Sequence, residues 1–129
     1  MVLLCTERND YNMINYDNMF GTITVSPKLI AQISGTVAES CYGVVGMAAR
    51  NRADGIVSLL YGDNKTKGIR VQIDENRAVV EIHIVVEFGI NIQSVCKSIA
   101  SRVRYTLEGT IGIPVKSVNI RVEVIRVSE

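Results

Sequence analysis

His83 is the only histidine of the chain, and Glu81 and Glu87 stand at alternate positions near it, so a strand would aim all three at one face. Those residue types suit a metal site or an acid/base pair. Neither a second histidine nor a cysteine at ligand spacing accompanies them, and the exposed face of a strand carries polar residues in any case. The expectation is therefore a solvated face, with no metal and no catalysis at His83.

The three cysteines, Cys5, Cys41 and Cys96, are odd in number and far apart, which argues against a disulfide framework and for a reducing compartment, the cytoplasm. Cys41 and Cys96 fall on apolar stripes at helical spacing, where a thiol packs as a small hydrophobe. A catalytic thiolate needs a base nearby, and His83 is expected on the sheet face opposite the helices. Two Gly-x-x-Gly strings, Gly43-Val-Val-Gly46 and Gly109-Thr-Ile-Gly112, match the backbone-clamping loop of some nucleic-acid-binding domains but hold no basic residue. Each reads more simply as a helix stop leading into an extended segment. Phosphate-loop and dinucleotide signatures are absent, as is a serine elbow, so neither a cofactor nor an enzymatic activity is expected.

Arg50, Arg52, Lys65, Lys67 and Arg70 form a basic group around residues 54–61 and are the candidate anion contact. They support an alternative reading as a nucleic-acid-binding module, whose affinity would fall steeply with salt. Only Tyr61 lies among them as an aromatic platform, so a solvated surface is the simpler expectation.

The elements that must carry these residues follow from periodicity. Residues 1–19, rich in Asn, Asp and Tyr, show no sustained apolar period and read as a flexible tail, with Met13 and Met19 as alternative starts. Residues 20–129 read as a single domain. The run Phe20-Gly-Thr-Ile-Thr-Val-Ser26 is a strand that ends at Ser26-Pro27, a helix N-cap followed by a proline tolerated in the first turn. Leu29, Ile30, Ile33, Val37 and Cys41 then recur at helical spacing. Gly35 inside that helix costs about 1 kcal/mol relative to Ala, which close packing on a sheet would explain. A short extended segment follows Gly43. Ile56, Val57, Leu59 and Leu60 then suggest a short amphipathic helix.

Ile69, Val71 and Ile73 alternate up to the turn Asp74-Glu-Asn76, and the returning arm sets Ala78, Val80, Ile82, Ile84, Val86 and Phe88 on one face. Its other face holds Val79, Glu81, His83, Val85 and Glu87. Asn91 caps a helix with Ile92, Val95, Cys96, Ile99, Val103 and Leu107 on its buried stripe, stopped by Gly109. A last strand after Pro114 places Val118, Ile120, Val122 and Val124 inward. The order β-α-β-(short α)-β-β-α-β predicts an α+β fold in two layers, with amphipathic helices on one face of a mostly antiparallel sheet. The other face is mixed in polarity, and Val79, Val85 and Ile125 on it, together with Ile56 and Leu60, are the candidate interaction surface.

Bulk properties agree. The 129 residues carry a net charge of +1, with 21% charged and 47% hydrophobic residues, the balance of an ordinary globular domain. No apolar run approaches the roughly 18 residues of a membrane span, and Glu7, Arg8 and Asp10 interrupt the N-terminus before a signal region forms.

Several strings taken in order carry a family resemblance: Gly21-Thr-Ile-Thr-Val-Ser-Pro-Lys-Leu-Ile30, Cys41-Tyr-Gly-Val-Val-Gly46, Val80-Glu-Ile-His-Ile-Val-Val-Glu-Phe-Gly-Ile-Asn-Ile92 and Gly112-Ile-Pro-Val-Lys-Ser-Val-Asn-Ile120. Over residues 20–127 the chain resembles the alkaline shock protein, or envelope stress response, family of Gram-positive bacteria. The resemblance implies a non-enzymatic protein linked to envelope stress, and the mixed outer face together with the apolar segment Ile56–Leu60 leads to the expectation of a scaffold or adaptor. Such a protein would sit in the cytoplasm and, in some members, at the membrane through a separate anchoring protein. It brings no catalytic residues to transfer. The expected partners are further copies of the chain or another protein.

Overall fold

The computed structural model describes residues 14–50, 57–60 and 68–127. Along the chain run β1 (Ile14–Asn18), β2 (Gly21–Val25), α1 (Pro27–Glu39), β3 (Val44–Arg50), β4 (Val57–Leu60), β5 (Ile69–Asp74), β6 (Arg77–Glu87), α2 (Ile92–Thr106), a π-helical turn (Leu107–Ile111) and β7 (Val115–Arg126). The α+β class and the layering follow the expectation.

The expected tail boundary moves toward the N-terminus, because β1 pairs antiparallel with β2 from Ile14↔Val25 to Asn18↔Gly21. Polar side chains hold this hairpin where no apolar period exists. Thr22 donates to Asp17 at 2.6 Å and Thr24 to Asn15 at 2.8 Å. Asn76, in the left-handed turn between β5 and β6, accepts from the Asn15 N–H and donates to its carbonyl.

α1 begins as expected, with the Ser26 hydroxyl accepting the Leu29 N–H at 3.3 Å and Pro27 in the first turn. Its deepest face differs from the expected stripe. Ile30, Ala31, Ser34, Gly35 and Ala38 are buried, whereas Leu29 is exposed and Ile33 and Val37 flank the core. Small residues allow the helix axis to approach the sheet, and a Cβ at Gly35 would lie 3.0 Å from the Ile69 Cδ1 on β5. The packing reason expected for Gly35 is thus present.

The short helix expected around residues 56–60 is instead a strand: β4 pairs antiparallel with β3, from Met47↔Leu60 to Arg50↔Val57. Two adjacent apolar pairs fit a turn of helix as well as a strand, and ladder hydrogen bonds to β3 decide the matter.

β6 is the centre of the five-stranded sheet. β7 lies parallel to it along residues 78–87, while β5 pairs with residues 77–82 and β3 with residues 84–86, both antiparallel. A strand has two edges, so β5 and β3 share the one that β7 leaves. Ala78, Val80, Ile82, Ile84 and Val86 are completely buried against the helical layer with Ile30, Ile99, Val103 and Leu107. Phe88, expected on the same face, is 70% exposed, because β6 ends at Glu87 and the chain turns there.

Asn91 caps α2 by accepting the Ser94 N–H at 3.1 Å. The stop falls at Gly112 rather than Gly109. The helix widens into the π turn, and Gly112, at φ +82, donates its N–H to the Leu107 carbonyl at 3.1 Å.

Candidate interaction face

Alternation along β6 brings Glu81 and His83 to the sheet face opposite the helices, and parallel pairing brings β7 beside them. The His83 Nε2 lies 3.0 Å from the Glu81 Oε1, and its Nδ1 lies 2.7 Å from the Glu123 Oε1. The Arg121 Nε stands 3.3 Å from the other Glu81 oxygen. Ionised carboxylates only accept, so both ring contacts are hydrogen bonds when both nitrogens carry protons or when one carboxyl holds a proton. Burial alone would raise the Glu81 pKa. The His83 hydrogen bond and the Arg121 charge outweigh it and hold the carboxyl below its ordinary value.

Both nitrogens of His83 are therefore engaged by carboxylates. Among the described residues no group of three or more His, Cys, Asp or Glu is placed to hold a metal ion. Glu87, paired with His83 in the sequence reasoning, is exposed at the far end of β6 and registers with Arg126. The partner that sequence reasoning missed is Glu123, whose outward position was legible but whose neighbour was not, since only the parallel pairing sets β7 beside β6.

Cys41 is buried and donates to the Val37 carbonyl, with the Arg102 guanidinium 3.9 Å from its sulfur. Cys96 is half-buried, and burial pushes its thiol pKa up, away from thiolate character. The two Gly-x-x-Gly strings lead into β3 and β7 and do not join two helices.

The candidate interaction residues separate. Val79 is half-buried on the outer face, and Val85 is only 6% exposed, so it offers no contact surface. The β6–β7 register slips by one residue at Glu123, which sets Val124 beside Val85 on the outer face and Ile125 beside Val86 on the helical side. Ile125 therefore leaves the face assigned to it, and Val124 takes its place. Both are open, at 46% exposure for Ile125 and 40% for Val124, close to Phe88 and Val127 at one end of the sheet. Ile56 lies outside the described residues, as does the side chain of Leu60 on β4. Of the basic group, Arg70 is exposed on β5 in register with Glu81. Arg50 closes β3, its side chain outside the described residues, as are Arg52, Lys65 and Lys67. No helix among the described residues is long and apolar enough to cross a membrane.

The model of the alkaline shock protein family, described by a cell envelope-related function, matches residues 15–127. The uncharacterised protein YloU of Bacillus subtilis is 36% identical over 110 residues, covering 84% of this chain and 92% of that one. The uncharacterised protein Spy1614 of Streptococcus pyogenes serotype M6 is 35% identical over 108 residues, 83% of this chain and 89% of its own. A second Bacillus subtilis protein, the uncharacterised YqhY, is 28% identical over 110 residues, 85% and 81% of the two chains. No solved structure matches the chain.

Proposed function

This chain belongs to the alkaline shock protein family, whose function is related to the cell envelope, and on that premise we propose that it is a non-enzymatic scaffold or adaptor acting by contact with other proteins. The observation that carries the reading is the outer sheet face. Its histidine and carboxylates are bonded to one another and to Arg121 instead of being set around an open position for a substrate. Beside that network Val124 is exposed on the outer face, with Phe88 and Val127 exposed where β6 and β7 end and Ile125 exposed on the helical side of the same end, apolar surface of the kind that protein contacts cover. The partners proposed are a second copy of the chain or another protein, including one anchored in the membrane, with the chain itself on the cytoplasmic side.

The test joins two measurements on the 129-residue chain. Light scattering behind size-exclusion chromatography reads self-association across a concentration series. Cross-linking in the native cell reads foreign partners. A monomer at every concentration that also captures no partner would overturn the proposal.

A further inference from the structure

β7 pairs with β6 on one edge, and no described strand covers the other. The Ala78 N–H donates to the Pro114 carbonyl and the Phe88 N–H to the Arg126 carbonyl, so even-numbered residues of β6 turn their backbone groups toward β7. In a parallel ladder such a residue bonds to the two positions flanking its opposite number. Val118, Ile120 and Val122, opposite Val80, Ile82 and Ile84, consequently direct their own N–H and C=O groups to the open side. Their side chains lie on the helical face and are only half-buried, whereas their three β6 neighbours are wholly buried. Among the described residues the apolar layer thus runs out at β7 with its last row part-covered.

The two ends of this edge are blocked. Glu108 accepts the Val115 N–H, Arg104 donates to the Val115 and Lys116 carbonyls, and the ladder bulges at Lys116. It bulges again at Glu123. Bulges and side-chain clamps are the devices that keep edge strands from pairing, and here they leave a regular window over residues 117–122.

The window is chemically palindromic. Val118-Asn119-Ile120-Arg121-Val122 reads apolar, polar, apolar, polar, apolar from either end, so a two-fold antiparallel pair centred on Ile120 sets apolar against apolar and polar against polar. The geometry points to a second copy of this chain as the occupant, joined β7 to β7 about Ile120. In that register Ile120 faces Ile120, Val118 faces Val122 on the helical side, and Asn119 faces Arg121 on the outer side, with no like charges opposed. A two-residue shift one way sets Arg121 against Arg121, a destabilising like-charge pair, and the other way replaces the Val122–Val118 pair by Val122 against Lys116. This inference rests on the scaffold reading and names its self-contact.

The test is register-specific cross-linking by a mild disulfide oxidant. Asn119→Cys and Arg121→Cys are substitutions at exposed positions, so neither disturbs the core. Opposed across a non-hydrogen-bonded pair, their Cα atoms would be about 4.5 Å apart, within disulfide reach. The expected result is a disulfide-linked dimer when the two variants are mixed, with either variant alone staying at the background of the unsubstituted chain and its three native cysteines. An oligomer in light scattering without excess cross-linking in the mixture overturns the β7 contact and leaves the scaffold reading standing. A monomer at every concentration overturns the contact, and in-cell cross-linking then decides the scaffold reading by itself.

Discussion

His83 on β6 is joined to Glu123 on β7, Nδ1 to Oε1 at 2.7 Å, at the point where the parallel ladder slips by one residue. Alternation with Asn119 and Arg121 puts Glu123 on the outer face with the ring, and Glu123 is the more buried partner, its side chain 11% exposed against 23% for His83. Removing it breaks a charge-assisted bond and leaves one ring nitrogen facing a gap. Glu123→Ala is expected to cost about 1–3 kcal/mol of stability. Glu87→Ala, at an exposed position on the same sheet, should stay within about 0.5 kcal/mol. Urea unfolding of both variants checks this, and equal midpoints would sink it.

A second prediction concerns acid. Burial raises the Glu81 carboxyl, but the His83 hydrogen bond and the Arg121 charge outweigh it and hold the group below its ordinary value of 4.5. A depressed folded-state pKa stabilises the protein above the unfolded value, and that contribution is lost as the pH falls through the folded one. Stability should therefore decline below about pH 4.5, and less steeply in Glu81→Gln. Asp74, lowered chiefly by its hydrogen bond to Lys116, acts in the same direction from an exposed site. Unfolding midpoints followed from neutral pH down to about pH 3 would show the difference in slope, and identical acid limbs would refute the assignment.

The third prediction sets helix propensity against space. Gly35→Ala would gain about 1 kcal/mol in an open helix. Here its Cβ would meet the Ile69 Cδ1 at 3.0 Å, so the gain is offset in the native background. Ile69→Val deletes that methyl group. Gly35→Ala should therefore be more favourable in the Ile69→Val chain than in the native one by about 1 kcal/mol, a coupling that a double-mutant cycle reads directly. Additive effects would show that the contact does not limit the helix.

What could be read before the structure was mostly periodicity. The faces of β6 were legible because alternation of Ala78, Val80, Ile82, Ile84 and Val86 has one explanation, and the caps Ser26 and Asn91 were legible because their chemistry is local. β1 escaped notice because its cohesion lies in Asn15, Asp17 and their threonine partners, which have no apolar signature. The strand at Val57–Leu60 was hidden by an ambiguous apolar cluster. Strict alternation through Glu123 puts Ile125 on the wrong face, because a bulge has no mark in a run of β-branched and charged residues. Glu123 stayed hidden as the partner of His83 for a different reason: a contact between strands requires their pairing and not only their patterns.

The last prediction falls on the clamp at the start of β7. Arg104 donates from Nη1 to the Val115 carbonyl at 3.0 Å and from Nη2 to the Lys116 carbonyl at 3.3 Å, and Glu108 accepts the Val115 N–H at 3.4 Å. A planar guanidinium can bridge two neighbouring carbonyls, whereas an ammonium is a single compact donor group on a flexible stem. Arg104→Ala should cost about 1 kcal/mol, because the groups it releases are near solvent, and it should lengthen the open edge toward Val115. Arg104→Lys should fall between the two chains in stability. A longer edge offers more backbone to a second copy, so self-association in light scattering should tighten as intrinsic stability falls. Those two readouts moving in opposite directions separate edge exposure from simple unfolding, which would release the Ser117–Val122 window and its pairing together.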